Sequence, residues 1–136
     1  MQQTLLMIKP DAVSRNLVGE ILHRVERDGL SIRRLRMLRL TVDQARDFYK
    51  VHEGKAFFAP LVAFMASGPV VVAVLEGEDA IERLDGVVGP TDPAQAPVGT
   101  IRRDFGLDVR KNAVHRSDAP ETAQVEIGWF QARASL

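Results

Sequence analysis

The sequence predicts a small α+β domain in which a β-sheet is backed by helices, and three observations carry that prediction. The chain has 136 residues, the length of one domain able to bury a core of its own, so a single domain over residues 1–136 is expected. Short apolar runs of strand type recur between stretches with helical spacing. Their order is strand, helix, strand, two helices, strand, helix, irregular segment, short strand, helix. With so few strands, a split β-α-β sheet of the ferredoxin type is the natural candidate. Propensity alone does not choose it over other small α+β arrangements.

Each element has its own warrant. Thr4 to Ile8 is a short, nearly all-apolar run that reads as a buried strand. Pro10 biases Lys9 to extended geometry, which puts Lys9 at the strand end before a turn. Val18, Ile21, Leu22 and Val25 mark one face of a helix, with Gly29 as its stop. Ser31 to Leu40 carries four arginines on an imperfect alternation, which predicts a strand with a solvated face. Thr41 and Gln44 have the spacing of a capping box and announce a helix whose stripe holds Ala45, Phe48, Tyr49 and His52. Phe58, Leu61, Val62 and Met65 form the next helical pattern, ended by Ser67-Gly68-Pro69. Val70 to Leu75 is a continuous, valine-rich strand. Ala80, Ile81, Leu84, Val87 and Val88 predict a short helix. Between Gly89 and about Asn112 no period survives among three prolines and several glycines, and a long irregular segment of this kind is more often functional than idle. A short strand is expected near Ala113. The last helix is expected from about Pro120 to Phe130, with Ala123, Ile127 and Phe130 facing inward.

Composition removes several function classes. Basic and acidic residues both number 18, so no net field draws the protein to nucleic acid or anionic lipid, and any bound anion needs a local cluster of cations. Without cysteine there is no disulfide framework, thiolate zinc site or cysteine nucleophile. No apolar stretch approaches the roughly 18–20 residues that cross a bilayer, and the N-terminus enters a strand without the pattern of a signal peptide. A cytoplasmic location is the expectation.

Three segments carry a sharper message. The first is Met7-Ile8-Lys9-Pro10-Asp11-Ala12-Val13. The second is Tyr49 followed by Phe57-Phe58, Leu61-Val62, Met65 and Ser67-Gly68-Pro69-Val70. The third runs from Gly99-Thr100-Ile101-Arg102 through Asp104-Phe105 to Asn112-Ala113-Val114-His115, then Ser117-Asp118. In this order and at this spacing, across nearly the whole chain, they resemble the nucleoside diphosphate kinase family. The resemblance implies a ferredoxin-like α+β fold with four antiparallel strands backed by helices. It also implies transfer of the γ-phosphoryl group of a nucleoside triphosphate, typically ATP, to a nucleoside diphosphate through a phosphohistidine, with Mg2+. Family members are usually homotetramers or homohexamers.

The resemblance assigns roles residue by residue. His115 matches the nucleophile; a histidine nucleophile splits one transfer into two steps at a single site, and neutral imidazole is competent near pH 7. Without its motif, His115 would read as a structural histidine, and His23 and His52 keep that reading. Glu126 matches the supporting glutamate, and lying one turn from Ala123 and Phe130 it can lean inward instead of into solvent. Ser117 joins the hydrogen bonds near the histidine. Lys9, at the end of a buried strand, can reach a phosphate as a point charge, and Tyr49 would offer its hydroxyl to the same region. Thr91 and Arg102 match phosphate-binding positions and Asn112 the sugar contact. Phe57 matches the aromatic that stacks on the base, with Leu61 and Val109 lining the slot. Asp118 would assist Mg2+ through water, the nucleotide phosphates supplying the direct ligands.

Two departures stand out. Where the family carries a second phosphate-clamping arginine, this chain has Asp85, and the usual glycine after the nucleophile is Arg116. Asp85 is expected to point away from the site, and two outcomes stand open: Arg116, or Arg83 as the lesser alternative, supplies the missing charge, or Arg116 points to solvent and the site works with one arginine fewer. Smaller departures are Asp92 for a common asparagine and Ala119 for a frequent serine. The rival readings are a weakened nucleotide-binding sensor, supported by Asp85 alone, and a nucleic-acid-binding domain on the same fold, which zero net charge and few aromatics oppose.

Overall fold

A computed structural model describes residues 1–136. Four strands, β1 (Gln2–Ile8), β2 (Ser31–Leu38), β3 (Val70–Gly77) and β4 (Val114–Arg116), form one antiparallel sheet in the order β2-β3-β1-β4. This is the four-stranded antiparallel sheet with packed helices that the sequence predicts. Seven helices complete the fold: α1 (Pro10–Ser14), α2 (Val18–Arg27), α3 (Val42–Phe48), α4 (Phe58–Met65), α5 (Ala80–Val88), α6 (Ile101–Phe105) and α7 (Pro120–Ala134). None is long and apolar enough to cross a membrane.

The central strands are apolar throughout because both faces of the sheet are covered. Alternation sends Leu6, Ile8, Ala73 and Leu75 to one face, where they meet Ile21 and Val25 of α2 and Leu84 and Val88 of α5. Leu5, Met7, Val72 and Val74 point the other way, into Tyr49, Val62, Met65, Ile127, Trp129 and Phe130. Burying each large side chain fully contributes about 1.5–3 kcal/mol, so the two clusters hold the sheet from both sides.

At the edges the pattern loosens. On β2, Leu35 and Met37 remain about half exposed, and its arginines reach elsewhere: Arg34 donates to the Leu136 carbonyl at 2.7 Å and Arg36 to that of Ala134. The imperfect alternation of this strand thus reflects an edge covered only in part, with Ile32 packed on one cluster and Leu38 on the other. A second tie, Trp129 Nε1 to Asp47 Oδ2 at 2.6 Å, fixes α7 against α3.

The capping box forms as the sequence predicts, Thr41 Oγ1 accepting from the Gln44 amide and Gln44 Oε1 from the Thr41 amide, both at 3.0 Å. That helix ends at Phe48, however, and His52 lies beyond it on a 3-10 turn. The segment after Gly89 is less irregular than its composition suggests. It holds a 3-10 turn at Pro93–Gln95 and helix α6, started by the Thr100 hydroxyl accepting from the Arg103 amide. α1, begun by Pro10, replaces the expected turn after β1.

Candidate active site

Strand register decides where the chemistry sits. β4 pairs with β1 so that His115 lies opposite Met7 and Arg116 opposite Leu6. His115 therefore points to the α7 side of the sheet and Arg116 to the α5 side. Because β4 is an edge strand, side chains from both faces reach one cavity of about 490 Å3 at the sheet margin.

On its own side His115 is pinned by a carboxylate. Its Nε2 lies 3.0 and 3.1 Å from the two Glu126 oxygens. A carboxylate only accepts, so Nε2 carries the proton and the Nδ1 lone pair is left free. Glu126 Oε1 also accepts from the buried Ser117 hydroxyl at 2.6 Å, which fixes the carboxylate in turn. Phe48 and Tyr49 pack edge-on against the imidazole, at 5.4 and 5.7 Å between centroids. Glu126 leans inward as expected, because Ile127 and Phe130 anchor α7 in the core beside it.

Cations line the cavity floor. The Lys9 ammonium is buried and donates to Asn112 Oδ1 at 2.8 Å and to the Arg110 carbonyl at 3.2 Å. Burial, and then the nearby Arg102, lower its pKa to about 8. Arg102 is buried as well, donating to the carbonyls of Gly89 and Val114 at 3.1 and 3.0 Å. Burial and then Arg116 bring its pKa down to about 10. Gly89 takes φ +87°, and a Cβ there would lie 2.9 Å from the Thr100 hydroxyl, so only glycine presents this carbonyl to Arg102 without a clash. The Tyr49 hydroxyl is buried without a partner, and burial, then the Glu126 charge, push its pKa upward. It is therefore a neutral donor at any physiological pH.

The remaining expected residues converge on the same cavity. Thr91, Phe57, Leu61, Val109 and Asp118 line it, with Phe57 and Val109 exposed at the mouth. Asn112 lines the cavity and is buried: besides accepting from Lys9, it donates to the Thr91 and Val109 carbonyls at 3.0 and 3.3 Å. Its amide ties the irregular segment together.

Across the whole chain the profile described as nucleoside diphosphate kinase matches residues 2–135. The chain belongs to the nucleoside diphosphate kinase family. It is 55% identical to a nucleoside diphosphate kinase of Glaesserella parasuis over 129 residues, 95% of this chain and 94% of that one. The Aquifex aeolicus nucleoside diphosphate kinase superposes with a TM-score of 0.93 at 48% identity, covering 95% and 94% of the two chains. The Halobacterium salinarum nucleoside diphosphate kinase, solved in complex with CDP, gives 0.92 at 40% identity over 95% and 86%. The activity is that of a nucleoside diphosphate kinase, a phosphotransferase acting on nucleotides.

Three residues stand differently in this kinase family member from what the sequence suggests. His52, read as structural from sequence, lines the cavity, its ring 5.1 Å from that of Phe57. Arg110, which carried no motif signal, lines it too. Asp11 appears in the first motif, and its role is structural: its Oδ2 accepts from the Ala113 amide at 3.1 Å and holds Ala113 at φ +75°, two residues before His115. Of the two arginines considered for the missing charge, Arg83 is turned away. It donates to the Asp28 carbonyl at 2.9 Å in a separate cleft with Arg24 and Arg27.

Proposed function

We propose that His115 Nδ1 takes the γ-phosphoryl group from a nucleoside triphosphate, typically ATP, and passes it to a nucleoside diphosphate at the same place. The single observation carrying this reading is the bond from His115 Nε2 to Glu126. It leaves one basic nitrogen directed at a cavity with Lys9 and Arg102 on its floor. As Nδ1 attacks, the N–P bond forms and the bond from phosphorus to the bridging oxygen breaks, leaving the diphosphate to depart. The imidazole gains positive charge, which Glu126 offsets through Nε2–H. The second nucleotide reverses the step. Lys9, Arg102 and the Tyr49 hydroxyl bear the charge on the moving group; Thr91 would bind phosphate, and Phe57, Leu61 and Val109 would hold the base.

Mg2+ fits this reading as a hard cation carried by phosphate oxygens, since no group of three or more His, Cys, Asp or Glu side chains is gathered to hold it. Asp118, an exposed carboxylate lining the cavity, would reach it through water. When bound, the ion neutralises polyphosphate charge. Assembly as a homotetramer or homohexamer goes with the same reading, and light scattering of the purified protein decides it. The sensor reading loses its support once Asp85 is accounted for, because Asp85 is paired to Arg116.

Incubation with γ-labelled ATP and magnesium should put an acid-labile, base-stable label on His115. A chase with a second nucleoside diphosphate should remove it. Folded protein that stays unlabelled would rule this reading out.

A further inference from the structure

Arg116 and Asp85 meet across two elements that sequence keeps 31 residues apart. Arg116 Nη2 donates to Asp85 Oδ1 at 2.5 Å, joining β4 to α5. The partners differ in surroundings. The Arg116 side chain is 17% exposed and lines the His115 cavity; that of Asp85 is 59% exposed and does not line it. The carboxylate thus stays in water behind the guanidinium, where solvent screens it, while the guanidinium faces a partly enclosed space. Arg116 Nε is buried with no partner, as is Nε of Arg102. Two guanidinium groups flank one cavity beside a histidine, with protein carboxylate on the outer side of Arg116 only.

We propose that Arg116 is a second polyphosphate-holding cation, acting with Arg102, and that Asp85 is its positioning residue, bracing the guanidinium from behind so that its free N–H groups face the phosphates. The proposal rests on the reading of the cavity as the phosphoryl-transfer site. The pairing explains how an aspartate is tolerated at position 85: the carboxylate is spent on Arg116 and never meets the anion. It also makes the two positions one unit, so that their effects are not additive.

The test is titration of the full chain with ADP and, separately, with adenosine, followed by NMR shifts that register weak binding. Arg116→Ala should weaken ADP about 10- to 100-fold, the usual loss for a hydrogen bond to a charged group, and leave adenosine unchanged. Asp85→Asn should weaken ADP less, about three- to tenfold, because the guanidinium remains but loses its brace. Moving the arginine across, Asp85→Arg with Arg116→Gly, should return ADP affinity to within about threefold of the starting protein, since the two side chains already reach one place. Unaltered ADP affinity in Arg116→Ala overturns the proposal, as does a parallel loss of adenosine, which marks a structural role. Asp85→Asn binding ADP like the parent removes Asp85 from it. Labelling of His115 is followed alongside: loss of ADP binding in Arg116→Ala with no label on the parent would reject His115 as carrier and leave the clamp standing.

Discussion

The floor and the mouth of the cavity are built differently. On the floor, Lys9, Arg102 and Asn112 are buried, each held by protein carbonyls or by one another, so their positions exist before any nucleotide arrives. At the mouth, Phe57 is 44% exposed and Val109 62%, with apolar side chains that only packing can hold. The difference matches what each end of a nucleotide asks. A phosphoryl group in transit needs charge that is already aimed, because reorganisation during the reaction is costly. A base needs only an apolar, aromatic surface, and stacking reads every base through its π-face. Under the proposed reading, rigidity at one end and permissiveness at the other would suit acceptance of different nucleosides at one reaction centre.

The sharpest way to break this contrast is at Lys9. Lys9→Ala should lower kcat by about 10²–10³-fold, because an aimed charge is removed where negative charge moves; steady-state transfer assays measure it. Next comes Phe57→Ala, which should raise KM about tenfold with kcat little altered, by a similar factor for purine and pyrimidine substrates. A loss confined to one base would show that the mouth is selective after all. Third, kcat/KM should fall as pH rises through about 8, where free Lys9 loses its proton, and the fall should move upward in Lys9→Arg. Stability moves the other way. The folded pKa of Lys9 is lowered from 10.5 to about 8, so between these values the unfolded chain binds more protons and raising pH favours the fold. Denaturant titrations of parent and Lys9→Met should diverge by roughly 1 kcal/mol per pH unit in that window. Smallest is Val109→Ala, expected to change KM less than about threefold, since an exposed contact contributes little.

Much of this was legible in the sequence, and for reasons that can be named. β1 and β3 announced themselves because both faces of the sheet are covered, which forces unbroken apolar runs. α2 and α5 showed a stripe because each buries one side. The motif residues needed the resemblance, since a lone histidine or lysine carries no such period. What escaped falls into two kinds. α1 and α6 are five residues each, too short to display a helical repeat, and they rest on a proline and a threonine cap instead. The other kind depends on distance in space: Arg116 with Asp85, Asn112 with Lys9, Asp11 with Ala113. These contacts join residues remote in sequence, and nothing local encodes them. The same holds for His52, which reaches the cavity only because the chain turns after Phe48.

β4 is three residues long and is registered against β1 alone. A slip of a single residue would turn His115 away from Glu126 and bring a neighbour into its place. Under the proposed mechanism, the identity of the reacting atom is stored as an alignment between two chain segments, not in the histidine by itself. Substitutions that loosen Ile8, Met7 or Ala113 could silence the enzyme while leaving every residue of its chemistry untouched.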